Sequence, residues 1–376
     1  MKFGRIFLVL SYIMCVTFSI MCWTIPFGAL EQMGEVVYTD AVHSERVNSF
    51  VTSKYNEETK QVDFWWMNAV KIHSVDAVLD RYVWLGGQTL GFDYSSDGVL
   101  VVAKGKLSVD EVEIGDVIKS VDGMSITSIQ DLSEAINSAR DEVMLKVDRK
   151  GSEVTLRVKP AFDTYSKRYK LGVWVKDSMN GLGTLTYITE DGSFGALGHP
   201  IVETNTNVIM EVENGEVYPC VIFGVQKAGK GGAGELKGTF VKNGKSVGKI
   251  TKNCEYGLFG CLDIDYFNNK TLVKLGGKTT IHPGKASIFA SVDGKNVKEY
   301  EIEIIKTNYQ SAKTPQNFVF RVLDKDLIAL TGGIVQGMSG SPIMQDGLLV
   351  GAVTHVFVND ATKGFGTYID NMINEQ

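Results

Sequence analysis

Cysteine, proline and histidine are scarce in this chain of 376 residues, and so is any cluster of basic residues. Of five cysteines, Cys15 and Cys22 fall in an apolar N-terminal run without the small-residue context that lipidation requires. Cys220, Cys254 and Cys261 have no C-x-x-C spacing and no neighbouring histidine, which argues against a zinc site and leaves room for one disulfide and one free thiol. Seven prolines against 40 glycines, with many Val, Ile and Thr, describe a turn-dense, β-rich body rather than a helical one. The formal charge of -6 comes without a Lys/Arg stripe, so nucleic acid is a poor partner. The glycine-rich stretch 227–234 lacks the G-K-[ST] ending of a phosphate loop and reads as a plain loop. Neither a metal nor a cofactor is called for.

What is present is enough apolar material, 44% of the residues, for a large core and two folded domains. Residues 6–30 carry no charge and follow Lys2 and Arg5, the layout of an export segment. Its length suits a membrane span. No clean A-x-A cleavage site is present, although Phe27-Gly28-Ala29 resembles one, so 1–30 reads as a signal anchor or signal peptide that puts the body on the non-cytoplasmic side. Residues 31–84 are polar and weakly patterned, with Phe64-Trp65-Trp66-Met67 as an apolar island, and read as a linker or stalk.

The most specific local pattern is Gly337-Met338-Ser339-Gly340-Ser341-Pro342. A serine hydroxyl is a poor nucleophile until a turn exposes it to a base and aims backbone N–H groups at the oxyanion. Gly337 and Gly340 permit such a turn, and the N–H groups of Gly337 and Ser339 are candidates for the oxyanion hole. With only five histidines, the search for a base is short. His43 and His73 lie in the polar N-terminal stretch, and His282 precedes Pro283. His199 ends the glycine-punctuated run 192–199, where a side chain can be presented at a barrel mouth, whereas His355 lies in the apolar run 348–358 and reads as a core residue. His199 is therefore the better base. A carboxylate could hold its tautomer, and Asp324 and Asp326 lie just upstream of the serine, each also readable as a solvated turn residue.

The serine segment resembles the nucleophile segment of chymotrypsin-like serine proteases. Over a longer span, Thr331 to Pro342 and Leu349 to Asp360, together with His199 in Gly195-Ala196-Leu197-Gly198-His199, the chain resembles the stage IV sporulation protein B peptidases of endospore-forming bacteria. That resemblance implies His199 as base, Ser339 as nucleophile and Asp324, fifteen residues before it, as the orienting carboxylate. Asp326 and the more remote Asp360 remain alternatives. It also implies a self-processing signalling endopeptidase, acting between the forespore membranes on a membrane-associated regulator of an intramembrane protease.

A second resemblance concerns residues 85–160. The segment 114–126, with its Gly115-Asp116 and Asp122-Gly123 turns, is similar to PDZ domains of bacterial proteases, and Ile129 to Ala139 has helical spacing. Thr89-Leu90-Gly91-Phe92 looks like the carboxylate-binding loop of such domains, which implies Leu90, Gly91 and Phe92 as the site that captures peptide C-termini or strands. Short strands separated by turns from residue 165 to 376 suit an antiparallel barrel. The expected protein is thus mainly β: an N-terminal membrane or signal segment, an α+β PDZ domain, then a chymotrypsin-like β-barrel peptidase domain. A non-catalytic PDZ adaptor for membrane-protein tails is the rival reading. An esterase is weaker, because no G-x-S-x-G elbow is present.

Overall fold

The computed structural model describes residues 36–39, 45–46, 51–56, 61–66 and 70–376, apart from 80, 140, 230–231, 241–244, 267–269, 279, 295 and 309–313. The export segment expected at 1–30, with Cys15, Cys22 and the Phe27-Gly28-Ala29 point, lies outside the described residues, as does His43. Among the described residues no helix is long and apolar enough to cross a membrane. Two compact units are present, divided after Arg81.

The first unit corrects the expectation of a stalk. Five strands pair in the order Val36–Thr39, Val70–Leu79, Gln61–Trp66, Val51–Asn56 and Glu45–Arg46. Val62 and Phe64 alternate with Gln61 and Asp63, the period of a strand, but Trp65 breaks the alternation and the polar surroundings dilute the signal over any wider window.

The second unit contains two closed six-stranded antiparallel barrels. β1 (Thr89–Lys104), β2 (Val173–Ile188), β3 (Ser193–Ala196), β4 (Val212–Pro219), β5 (Gly248–Cys254) and β6 (Gly257–Leu262) close the first through the ladder β1-β2-β3-β6-β5-β4-β1. β7 (Gly284–Ala290), β8 (Lys298–Thr307), β9 (Phe318–Val322), β10 (Pro342–Gln345), β11 (Leu348–Phe357) and β12 (Asp360–Tyr368) close the second as β7-β8-β9-β12-β11-β10-β7. Strict alternation builds these walls. In β8, Tyr300, Ile302 and Ile304 point inward while Glu299, Glu301 and Glu303 face outward, and Phe318, Phe320 and Val322 of β9 meet them in the core. Each such apolar side chain contributes about 1.5–3 kcal/mol on burial. The first barrel is filled by Leu90, Phe92, Leu185, Phe194 and Val217, among others.

β1 and β2 are sixteen residues long, far more than the barrel uses. Their outer parts, 98–104 and 173–177, run on as a paired ribbon into a separate core with Val117–Val121, helix α1 (Ile129–Ser138), Val143–Arg149 and Ser152–Val158. Gly98, at φ 111°, and a register shift between Lys176 and Ser178 mark the crossing. This outer core is the PDZ unit. Ser128 and Asp131 form a capping box on α1, and Asp116 is buried with both carboxylate oxygens on Arg149, at 2.7 and 2.8 Å. The serial order expected for the domains, 85–160 and then 165–376, becomes a nested one: the PDZ unit is inserted in the first hairpin of the barrel, and residues 89–96 belong to the peptidase fold.

Nesting also overturns the expected peptide-binding loop. Leu90, Gly91 and Phe92 are near the start of β1, with β2 on one edge (Gly91 opposite Leu182) and β4 on the other (Gly91 opposite Tyr218). Leu90 and Phe92 are wholly buried in the barrel. A strand whose two edges are already paired offers no backbone to a ligand, so these residues are barrel core rather than a peptide site.

Candidate active site

Ser339 lies in the turn that enters β10 of the second barrel. Met338 is fully buried in the core of that barrel and anchors the turn, while Ser339 beside it is half-buried and faces out. Gly337 has φ 95° and Gly340 φ 92°, backbone angles that a side chain adopts only at a cost. β2 of the first barrel holds the turn from behind. The Thr184 hydroxyl donates to the Gly337 carbonyl at 2.7 Å, the Thr184 N–H donates to the Ser339 carbonyl at 2.8 Å, and the Thr186 hydroxyl donates to the Gly340 carbonyl at 2.7 Å. The Met338 carbonyl accepts the Ser341 N–H at 3.0 Å. The Ser339 N–H, on the other side of that same planar peptide group, therefore points away from the turn, as an oxyanion donor must.

His199 follows β3 of the first barrel, after Leu197 and Gly198, both at φ 70°. It meets Ser339 on one cavity of about 590 Å³ between the barrels, also lined by Leu182, Val335, Thr354, His355 and Val356. The structure thus brings together the two residues, 140 positions apart, that the sequence reading paired. His199 Nδ1 lies 2.8 Å from the Pro200 carbonyl, so with Nδ1 as the donor Nε2 is the free nitrogen. The ring of His355 is its neighbour, at 5.0 Å between centroids. The Ser339 hydroxyl donates to the Thr354 carbonyl at 2.9 Å, and no hydrogen bond joins it to His199 among the described residues. One staggered rotation about the Ser339 Cα–Cβ bond would release it from Thr354.

Asp324 is not brought to this cavity. It is the N-cap of α2 (Lys325–Thr331), where its carboxylate accepts the Leu327 N–H at 2.8 Å, and its own N–H donates to the Glu301 carbonyl. Asp326 lies in the first turn of the same helix, and Asp360 is held by Lys363 and Thr362. The carboxylate expected to orient His199 is thus engaged elsewhere, and a backbone carbonyl stands in its place. A histidine ring does meet a carboxylate at His282 and Asp346, 2.8 Å apart, but that pair is exposed and outside the cavity.

The model of the SpoIVB peptidase S55 family matches residues 167–373, more than half of the chain and the whole stretch from β2 through the serine turn. The chain belongs to that family. As an S55 peptidase it is a serine peptidase, with most of the PDZ unit ahead of the matched span. No curated protein matches it. Among solved structures, the PDZ domain of an SdrC-like protein from Listeria monocytogenes is 26% identical, covering 21% of this chain and 87% of that one, with a TM-score of 0.19. The active form of the Rv3671c protease from M. tuberculosis is 13% identical over 52% of this chain and 72% of that one, with a TM-score of 0.32. The HtrA-type protease AlgW with a decapeptide is 10% identical over 77% and 63%, also with a TM-score of 0.32.

The electrostatics of the S55 site suit a neutral base. Burial pushes His199 down to about 4, the Pro200 carbonyl opposes that shift, and the neighbouring His355 adds to it. Burial also lowers His355. A neutral imidazole beside a serine hydroxyl can take its proton as the oxygen attacks a carbonyl and then pass it to the leaving amine. The sequence reading missed Thr184, Thr186 and Thr354, the residues that position the turn. The trace of Thr184 and Thr186 is their alternation with Leu185, in which the leucine faces the barrel core, and Thr354 leaves none. Cys220, Cys254 and Cys261 are all free thiols, so the disulfide left open by the sequence is not formed.

Proposed function

We propose that this S55 peptidase is an exported sporulation-signalling endopeptidase that cleaves itself and a membrane-associated regulator of an intramembrane protease, in the space between the forespore membranes. Ser339 is the nucleophile, His199 the general acid and base, and the N–H groups of Ser339 and Gly337 hold the oxyanion. The observation that carries this reading is the convergence of Ser339 and His199, one from each barrel, on a single cavity. The uncharged segment 6–30 supports export and tethering. The PDZ unit supports capture of peptide tails or strands, and the place for it is the first half of β2, which runs beside α1.

Incubation of the purified full chain followed by mass spectrometry of its N-terminus tests the reading. The wild-type chain should shorten at a preferred bond and react with a fluorophosphonate probe at Ser339. Ser339→Ala should do neither while keeping its thermal unfolding profile. Self-trimming that persists in Ser339→Ala excludes this mechanism.

A further inference from the structure

A second cavity, of about 700 Å³, adjoins the one that holds Ser339 and His199, and the two share Gly181, Leu182, Gln336 and Gly337. They meet at the turn that supplies the oxyanion donors. Its walls are two strand segments with one unpaired edge each among the described residues. Residues 180–182 of β2 pair with β1 only, and β3 joins β2 further on, at 185–188. Residues 236–239 of the strand Gly234–Thr239 pair with Val221–Gln226 only, because Val335 and Gln336 take the other edge at 234–235. Two free edges flanking a slot are what an extended peptide needs to dock by backbone hydrogen bonds.

At the mouth of this slot is Phe223, 70% exposed although its neighbour Ile222 is buried in the barrel core. Phe223 lines the slot together with Leu182, Leu236 and Phe240, and such an apolar cluster around a groove marks a contact surface. Phe223 falls at a register shift between Ile222 and Gly224, in a hairpin whose other strand is laddered at 234–235 to Val335 and Gln336, directly before Gly337. The slot is also lined by Asn180, Leu182, Phe240 and Gln336, and its two charged side chains, Glu235 and Lys237, are opposite in sign, so charge does not select and Phe223, the more exposed of the two phenylalanines, is the apolar group a substrate side chain meets at the mouth.

We propose that this second cavity receives, as an extended strand, the part of the polypeptide substrate beyond the scissile bond, and that Phe223 selects an apolar side chain within its first few residues. The inference rests on the peptidase reading and adds a substrate preference on the leaving-group side. An enzyme with a groove on both sides of its nucleophile cuts within chains rather than at their ends.

Two substrates separate the possibilities: denatured casein, with cut sites mapped by mass spectrometry, and a small thiobenzyl ester that has no leaving peptide. Wild-type cuts should be enriched in apolar residues within the first three positions after the cleaved bond. Phe223→Ala should lose that enrichment and lose about tenfold in kcat/KM on casein peptides, while hydrolysing the thioester at the wild-type rate. Unchanged enrichment in Phe223→Ala overturns the proposal, and so does an equal loss on the thioester, which would mark a folding effect. A wild-type protein that hydrolyses neither substrate, indistinguishable from Ser339→Ala, overturns the peptidase reading itself.

Discussion

The imidazole rings of His199 and His355 face each other with centroids 5.0 Å apart and planes inclined by 40°. Each ring keeps water from the other, and a proton on one opposes a proton on the other. His199 is accordingly held near 4, well below its ordinary 6.5. The sign of the consequence follows from the role. A general base works only when neutral, so activity is lost as pH falls through its pKa, and a depressed pKa extends activity into acid. For the wild-type enzyme, kcat/KM should hold level down to pH 5 and fall near pH 4. His355→Ala admits water to the base and should move that acid limb upward, toward 6.5. A wild-type limb already at 6.5, or one that does not move in the variant, contradicts the assignment of His199.

Asp324 gives a sharper contrast. An orienting carboxylate cannot be replaced by an amide, because the histidine is then held in the wrong tautomer and turnover drops by about 10⁴. An N-cap can be, since Asn caps a helix about as well as Asp. With the Asp324 carboxylate on the Leu327 N–H, Asp324→Asn should retain wild-type kcat, while Asp324→Ala should lose about 1 kcal/mol of stability and little intrinsic activity. Loss of three or more orders of magnitude in kcat for the well-folded Asn variant would restore the carboxylate to the proton relay.

Much of this architecture was legible from residues alone, and the misses have physical causes. Ser339 and His199, which line one cavity, stand out in the sequence because both sit in glycine-punctuated turns, where local backbone demands write themselves into sequence. Asp324 was misplaced because an Asp between a strand and an apolar run reads the same whether it caps a helix or faces a histidine, and only the fold decides. The PDZ and barrel read in series because Thr89-Leu90-Gly91-Phe92 resembles a PDZ loop, whereas it opens a single strand that serves the barrel first and continues into the PDZ core to Lys104. Leu90, Gly91 and Phe92 matched a loop motif by composition, yet which edges of a strand are occupied is set by partners as remote as Leu182 and Tyr218.

The serine turn has no room behind Gly340. A Cβ there would stand 2.0 Å from the Thr184 carbonyl oxygen and 2.4 Å from the Leu197 N, at a φ of 92°. Gly340→Ala should therefore cost about 3 kcal/mol or more and abolish probe labelling of Ser339. Gly347 is the control: its φ of 79° is also unfavourable for a side chain, but nothing lies within 4 Å of the added carbon. Gly347→Ala should cost about 1 kcal/mol and leave activity intact, as read by thermal unfolding beside turnover. Equal effects from the two substitutions would mean that backbone strain, and not the contact with β2, governs the turn.

The nested topology predicts which deletion the fold survives. Ser95 and Ser178 are directly opposite in the β1–β2 ladder, so a two-residue Asn-Gly turn can join them once the intervening PDZ unit is excised. The remaining chain keeps all twelve barrel strands, with β1 and β2 shortened to the portions the barrel uses. It should be soluble, unfold in one cooperative transition and react with a fluorophosphonate at Ser339. A chain beginning at residue 165, which serial domains would favour, lacks β1, leaves β2 and β4 without their shared partner, and should aggregate. If the truncated chain labels and the excised one does not, the PDZ unit is no insertion and the barrel does not need β1.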